Sequence, residues 1–221
     1  MTSSELPTAE PNAMPIIHLN GFPGTGKLTI ARKLVESLNT HPTKHRSTKV
    51  SDNVSAKLVH NHLLIDPANA ILSRTQPGYQ QLRKAIREVV FTSLIEERST
   101  HETVYVFTDY QSGDDVGSRV CEEFKTMAEA RGCQLIPILI LCDEQENIRR
   151  LKDTERATWS KVTDSELLLQ FRQQMDPPAV YEFPDNKARL TVDVTNLSAE
   201  KAAKVVLRHV SKYVPGILAV A

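Results

Sequence analysis

Apolar positions recur along this chain in two periods, and the segments that carry them alternate. Residues 16–19, Ile-Ile-His-Leu, form a short apolar run that closes on glycines, which predicts a buried strand. Residues 27–38 place Leu28, Ile30, Ala31, Leu34, Val35 and Leu38 at helical spacing. Residues 56–59 predict a weaker second strand. Residues 80–97 are strongly helical in period, through Leu82, Ile86, Val89, Val90 and Leu94. Residues 104–107 are β-branched and aromatic and predict a third strand, with a helix over 116–130 after it. Residues 135–141 are apolar without a break, as in a strand covered on both faces. Helices are expected over 144–152 and 164–174, a last strand over 190–194, and a final helix capped by Ser198 and running to about Tyr213. Strands that alternate with helices define an α/β fold with a parallel sheet between helical layers.

Composition adds bounds to this picture. The chain has 221 residues, 40% of them hydrophobic, which suits one medium-sized domain. No repeat or internal boundary stands out, so residues 16–215 are expected to form that domain. Residues 1–15 are polar and proline-rich without an apolar core, and read as a flexible tail rather than a signal peptide. The polar stretch 39–54 reads as an exposed insertion. No apolar run approaches the roughly 18 residues a membrane helix needs. The formal net charge is zero, so neither a nucleic-acid nor a membrane partner is expected. Three cysteines, Cys121, Cys133 and Cys142, form no C-x-x-C pair, which points to a reducing, cytoplasmic location.

The chemistry starts at residues 20–29, Asn-Gly-Phe-Pro-Gly-Thr-Gly-Lys-Leu-Thr. Gly21, Gly26 and Lys27 fit the phosphate-binding P-loop pattern G-x-x-x-x-G-K-[ST], and the loop lies between a predicted strand and a predicted helix. Glycines let successive backbone N–H groups curl around an anion, and the helix adds its positive end. Gly21, Pro23, Gly24, Thr25, Gly26, Lys27, Leu28 and Thr29 are therefore the expected nucleotide site, with ATP and Mg²⁺ as its ligands. The last motif position is Leu28, which cannot ligate a metal. Thr29 follows, about 100° further round the helix. Either Thr29 takes the metal after a local adjustment, or waters, phosphates and a carboxylate such as Asp109 hold it. Leu28 alone supports a third reading, a loop that binds nothing.

The acids Asp143 and Glu144 after the apolar strand admit two readings. They are a metal-binding pair of an ATPase, or first-turn residues of the next helix, favoured by its dipole. Asn186-Lys187-Ala188-Arg189 lacks the aspartate of a guanine-recognising N-K-x-D, so a GTPase is not expected.

With its glycine loop, the Thr108-Asp109 pair after a strand and the arginine-rich stretch from Asn147 to Leu168, the chain resembles P-loop small-molecule kinases of the nucleoside-monophosphate-kinase-like group. These include gluconate, shikimate and chloramphenicol kinases. The resemblance covers most of residues 16–210. It implies a three-layer sandwich with a five-stranded parallel sheet in the order 2-3-1-4-5, and a lid at about 149–163. It also implies lid arginines, Arg150 and Arg156, for the transferring phosphoryl group, with Arg149 able to take the Arg150 role. Trp159 belongs to the same stretch.

Those kinases place an aspartate after the second strand to receive the acceptor's proton. Here His60-Asn61-His62 stands there, with Asp66 beyond, so His62 and Asp66 are both candidate bases. They share a face if the segment is helical; His60 and His62 do if it is extended. Asp109 is a candidate to bind Mg²⁺ or hold the substrate, and Lys27 to neutralise the phosphates. Arg74 and Arg83 are candidates for an anionic acceptor. Two functions fit. One is an ATP-dependent kinase for a small-molecule acceptor, which needs a second pocket lined by His62, Asp66, Arg74 and Asp109. The other is a nucleotide-binding switch or regulatory ATPase, which needs that pocket filled.

Overall fold

A computed structural model gives the fold and describes residues 13–40, 55–151, 173, 180–214 and 217. Arg156, Trp159, the lid beyond residue 151 and, apart from residue 173, the helix expected over 164–174 lie outside the described residues.

Five strands carry the sheet: β1 (Ile16–Asn20), β2 (Ser55–His60), β3 (Thr103–Thr108), β4 (Leu135–Leu141) and β5 (Leu190–Asp193). Every neighbouring pair is parallel, and the order is β2-β3-β1-β4-β5. The helices are α1 (Lys27–Thr40), α2 (His62–Asn69), α3 (Tyr79–Glu96), α4 (Asp115–Arg131), α5 (Glu144–Leu151) and α6 (Ala199–Tyr213). The segment after β2, open to two readings from its sequence, is helical. Asn61 accepts from the N–H groups of Leu64 and Ile65 at 3.0 Å each, and Ile65 and Ala68 are buried beneath.

Alternation along each strand assigns its side chains to two layers. Ile17, Leu19, Val104, Val106, Ile136, Ile138 and Ile140 face α1 and α6, packing on Leu34, Leu38, Val206 and Val210. Ile16, Tyr105, Phe107 and Leu135 face α3 and α4, packing on Phe91, Leu94, Phe124 and Met127. Caps define two of the helices. Asp114 accepts from the N–H groups of Val116 and Gly117 at 3.0 and 2.8 Å to start α4, and Ser198 accepts from Lys201 to start α6. Leu19 and His60 both pair with Thr108, so β1, β2 and β3 end at one level. The segments leaving those three strands must gather at one edge of the sheet, where ligands of such folds bind.

Candidate active site

Asn20 ends β1 and is 2% exposed. Its carboxamide oxygen accepts from the N–H groups of Gly21 and Gln111, both at 2.9 Å. Its nitrogen donates to the carbonyls of Gln111 and Tyr181 at 3.0 Å. All four hydrogen bonds of the amide are thus made, and they tie the start of the glycine loop to the segment after β3. Sequence reasoning missed Asn20. Its signal was a polar residue closing an apolar strand directly before the glycines.

The loop is tight where its glycines stand. A Cβ on Gly21, whose φ is +151°, would lie 2.3 Å from the Ile140 carbonyl oxygen. One on Gly24, at φ +92°, would lie 2.4 Å from the Asn147 side-chain nitrogen. Only glycine fits both the space and the backbone angle. Thr25 is buried and donates to the Phe22 carbonyl at 3.0 Å. Lys27 opens α1 and turns its Nζ back into the loop, donating to the Gly21 and Phe22 carbonyls at 2.6 Å each. Leu28 and Thr29 both line the cavity; Leu28 is half-buried and Thr29 exposed.

Helix α5 braces this loop from the other side. Asn147, fully buried, donates to the Pro23 carbonyl at 2.9 Å. Arg150 donates to the Thr25 carbonyl at 3.2 Å and the Val194 carbonyl at 2.9 Å, joining the loop to the end of β5. Its Nε donates to Glu146 at 2.6 Å, and Arg149 donates to the same carboxylate. Hydrogen bonds from Arg149, then Arg150, hold the Glu146 carboxyl down at about 2. Arg150 therefore lines the cavity with its guanidinium engaged by carbonyls, and Arg149 faces solvent. Asp143 accepts from the Glu146 N–H at 2.7 Å, the cap of α5, so the helix-start reading of that acid holds.

One cavity of about 650 Å³ joins the segments after β1, β2, β3 and β5. The glycine loop, Arg150, Val194 and Leu197 line it on the β1–β5 side. His60, His62, Arg74, Arg83 and Asp109 line it on the β2–β3 side. His62 is at the wall, and its Nδ1 lies 3.0 Å from Asp66 Oδ1. Asp66 is exposed and is not among the lining residues, so the two candidate bases occupy different places: one faces the cavity, and the other holds it. Asp109 is 8% exposed. One of its oxygens accepts from the Tyr110 N–H at 2.8 Å and the other from the Gln111 side-chain amide. Below it in β1, His18 is wholly buried against Phe124, 4.4 Å between ring centres, and burial pushes its pKa down to about 4.

A glycine loop between β1 and α1, at the carboxyl edge of a 2-3-1-4-5 parallel sheet, defines a P-loop protein with the architecture of the small-molecule kinases. Residues 17–167 match the family model of an AAA domain, and the chain belongs to that family. Three solved structures share the fold. A gluconokinase from Sinorhizobium meliloti is 14% identical, with 92% of this chain and 94% of that chain covered and a TM-score of 0.54. A shikimate kinase from Acinetobacter baumannii, in complex with shikimate, is 16% identical over 95% and 99%, with a TM-score of 0.54. The Mycobacterium tuberculosis APS kinase, in complex with AMPPNP and APS, is 15% identical over 91% and 99%, also at 0.54. At these identities the likeness is one of fold. No curated protein matches the sequence. Among the described residues no helix is long and apolar enough to cross a membrane.

Proposed function

We propose that the protein transfers the γ-phosphate of ATP to a hydroxyl of a small-molecule acceptor. One observation carries this reading: among the described residues, a single cavity has the phosphate loop on one side and a polar wall, with His62, Arg74 and Asp109, on the other. A regulatory switch has no use for that second half.

In this reading the loop N–H groups and Lys27 receive the phosphate chain, and Lys27 exchanges its two carbonyl partners for phosphate oxygens. Val194 and Leu197 flank the nucleotide's other end, and Arg150, held by the Thr25 carbonyl, stands beside the phosphates. His62 takes the acceptor's proton. A carboxylate only accepts, so Asp66 keeps the proton on Nδ1 and leaves the Nε2 lone pair for the hydroxyl. A bound Mg²⁺ would supply charge neutralisation for the phosphate oxygens. The wall suits such a hard cation, because Asp109 presents a carboxylate there and Thr29 a hydroxyl on the rim. Of the two, Asp109 is the better placed, being buried in the wall while Thr29 is exposed.

The test is ADP release from ATP across a panel of hydroxylated metabolites, with and without each acceptor. Acceptor-dependent release is expected, and Lys27→Ala should remove most of it along with ATP affinity by calorimetry. Release that ignores every acceptor would replace the kinase reading with an ATPase. Equal ATP affinity and turnover in Lys27→Ala would remove the loop from the site.

A further inference from the structure

We propose that Glu146 is a positioning residue for nucleotide binding: it holds Arg150 so that one guanidinium N–H is aimed at the phosphates in the glycine loop. This rests on the proposed function only in taking that loop as the phosphate site.

Glu146 lies three and four residues before Arg149 and Arg150 on α5, so both arginines reach its carboxylate. Their surroundings differ. The Arg149 side chain is 72% exposed and the Arg150 side chain 21%. Arg150 is anchored along two edges of its guanidinium. Nε donates to Glu146 Oε1 at 2.6 Å. Nη2 donates to the carbonyls of Val194 and Thr195 at 2.9 and 3.4 Å. The group is planar and rigid, so these contacts also set the direction of Nη1. Nη1 carries two hydrogens. One goes to the Thr25 carbonyl at 3.2 Å, and the other has no partner among the described residues. Nη1 stands 3.7 Å from where a Cβ on Gly26 would lie. The spare donor is therefore at the glycine loop, on the cavity wall.

An ion pair on a helix surface contributes little by itself. Here the cation is half-buried, and its other partners are neutral carbonyls, so Glu146 is its one anionic contact among the described residues. The two arginines hold the carboxyl at about 2, which keeps it ionised near neutral pH. Removing the carboxylate has two opposed effects on a nucleotide. It raises the positive charge beside the loop, which draws phosphates more strongly. It also frees the Nε edge, so the side chain can turn and the phosphates lose a directed, charged hydrogen bond. The freed charge of Arg149 is solvent-exposed and screened by salt. A charged hydrogen bond is worth about 10- to 100-fold in affinity, so the loss exceeds the gain. The sign of the change therefore separates positioning from plain charge.

The test is calorimetric titration of AMPPNP into the full-length protein and its variants, with urea unfolding to confirm that each is folded. Glu146→Ala should weaken AMPPNP about 10-fold. Glu146→Gln, which keeps an oxygen for Nε, should fall between Glu146→Ala and the wild type. Added to Arg150→Ala, Glu146→Ala should change the affinity by less than about twofold, because it acts through Arg150. If Glu146→Ala does not fold, the same cycle is run with Glu146→Gln, whose loss must likewise vanish in Arg150→Ala. Equal or tighter AMPPNP binding in the folded Glu146 variant overturns the proposal, and so does a loss that persists in full without Arg150. These titrations need no acceptor, so they are independent of the transfer step. Weakened AMPPNP binding together with ADP release that ignores every acceptor upholds the proposal and counts against the kinase reading. Acceptor-dependent release with unchanged AMPPNP affinity overturns the proposal alone. A wild-type protein that binds no AMPPNP overturns both the proposal and the loop assignment.

Discussion

At the scale of single residues, two positions separate the roles in the site. His62 faces the cavity and Asp66 stands behind it, so their losses should differ. His62→Gln is expected to lower kcat about 10²- to 10⁴-fold, as removal of a general base does. Asp66→Ala should cost less, about 10- to 100-fold, since it removes only the group that orients the imidazole. The KM for ATP should stay within about twofold in both, because neither residue touches the loop. Steady-state kinetics with a turned-over acceptor checks this, and equal losses in the two variants would refute the division of roles. The irregular motif position makes a second case. Leu28 is half-buried at the cavity wall, so Leu28→Ser should destabilise by less than the about 2 kcal/mol that starts the range for core truncations. It should also lower the Mg²⁺ concentration needed for half-maximal turnover. Thr29, exposed at the rim, should leave that requirement within about twofold when changed to alanine. A tenfold rise in Thr29→Ala would make Thr29 the metal ligand after all.

At the scale of elements, α5 acts as a brace rather than a free arm. Asn147 holds the Pro23 carbonyl, and its side-chain nitrogen fills the space that a Cβ on Gly24 would need. Arg150 holds the Thr25 carbonyl from one turn further along the same helix. Asn147→Ala leaves the half-buried Pro23 carbonyl without this donor, at a cost towards the low end of about 1–3 kcal/mol. Urea unfolding should record that loss. ATP affinity should fall with it, since the loop's conformation depends on the contact, while the KM for the acceptor holds. An ATP affinity unchanged by Asn147→Ala would mean that the loop keeps its shape without the brace.

At the scale of the whole molecule, His18 couples stability to acidity. Its ring is buried between the sheet and α4 with no hydrogen-bond partner among the described residues, and burial lowers its pKa from 6.5 to about 4. The unfolded chain therefore binds a proton more readily than the folded one. Stability from this group is complete above about pH 6.5 and is lost as pH falls towards 4. Between pH 7.5 and 5 the loss should be about 2 kcal/mol. Urea unfolding at both pH values checks it, with His18→Phe as the variant that cannot titrate. The acid loss should shrink by about that amount in His18→Phe, and an identical loss in both proteins would clear His18 of the effect.

The strands, all but one of the described helices and the glycine loop were legible in the sequence, because hydrophobic period and glycine spacing are local properties. Residues 135–141 read as a covered strand from their unbroken apolar run, and Gly21, Gly26 and Lys27 matched the phosphate-loop pattern with a strand before them and a helix after. Helix α2 was not decided locally. Its eight residues hold a proline and only a short apolar face, and the choice between extended and helical rested on burying Ile65 and Ala68. The acidic pair after β4 was likewise ambiguous until Asp143 was seen to cap α5. Asn20 and Asn147 owe their places to residues far along the chain: Gln111 and Tyr181 for the first, Pro23 for the second. Sequence spacing carries periodicity and motif order. It carries no distances between strands, and the packing of the sheet alone determines which arginine finds a carboxylate and which one is left facing a cavity.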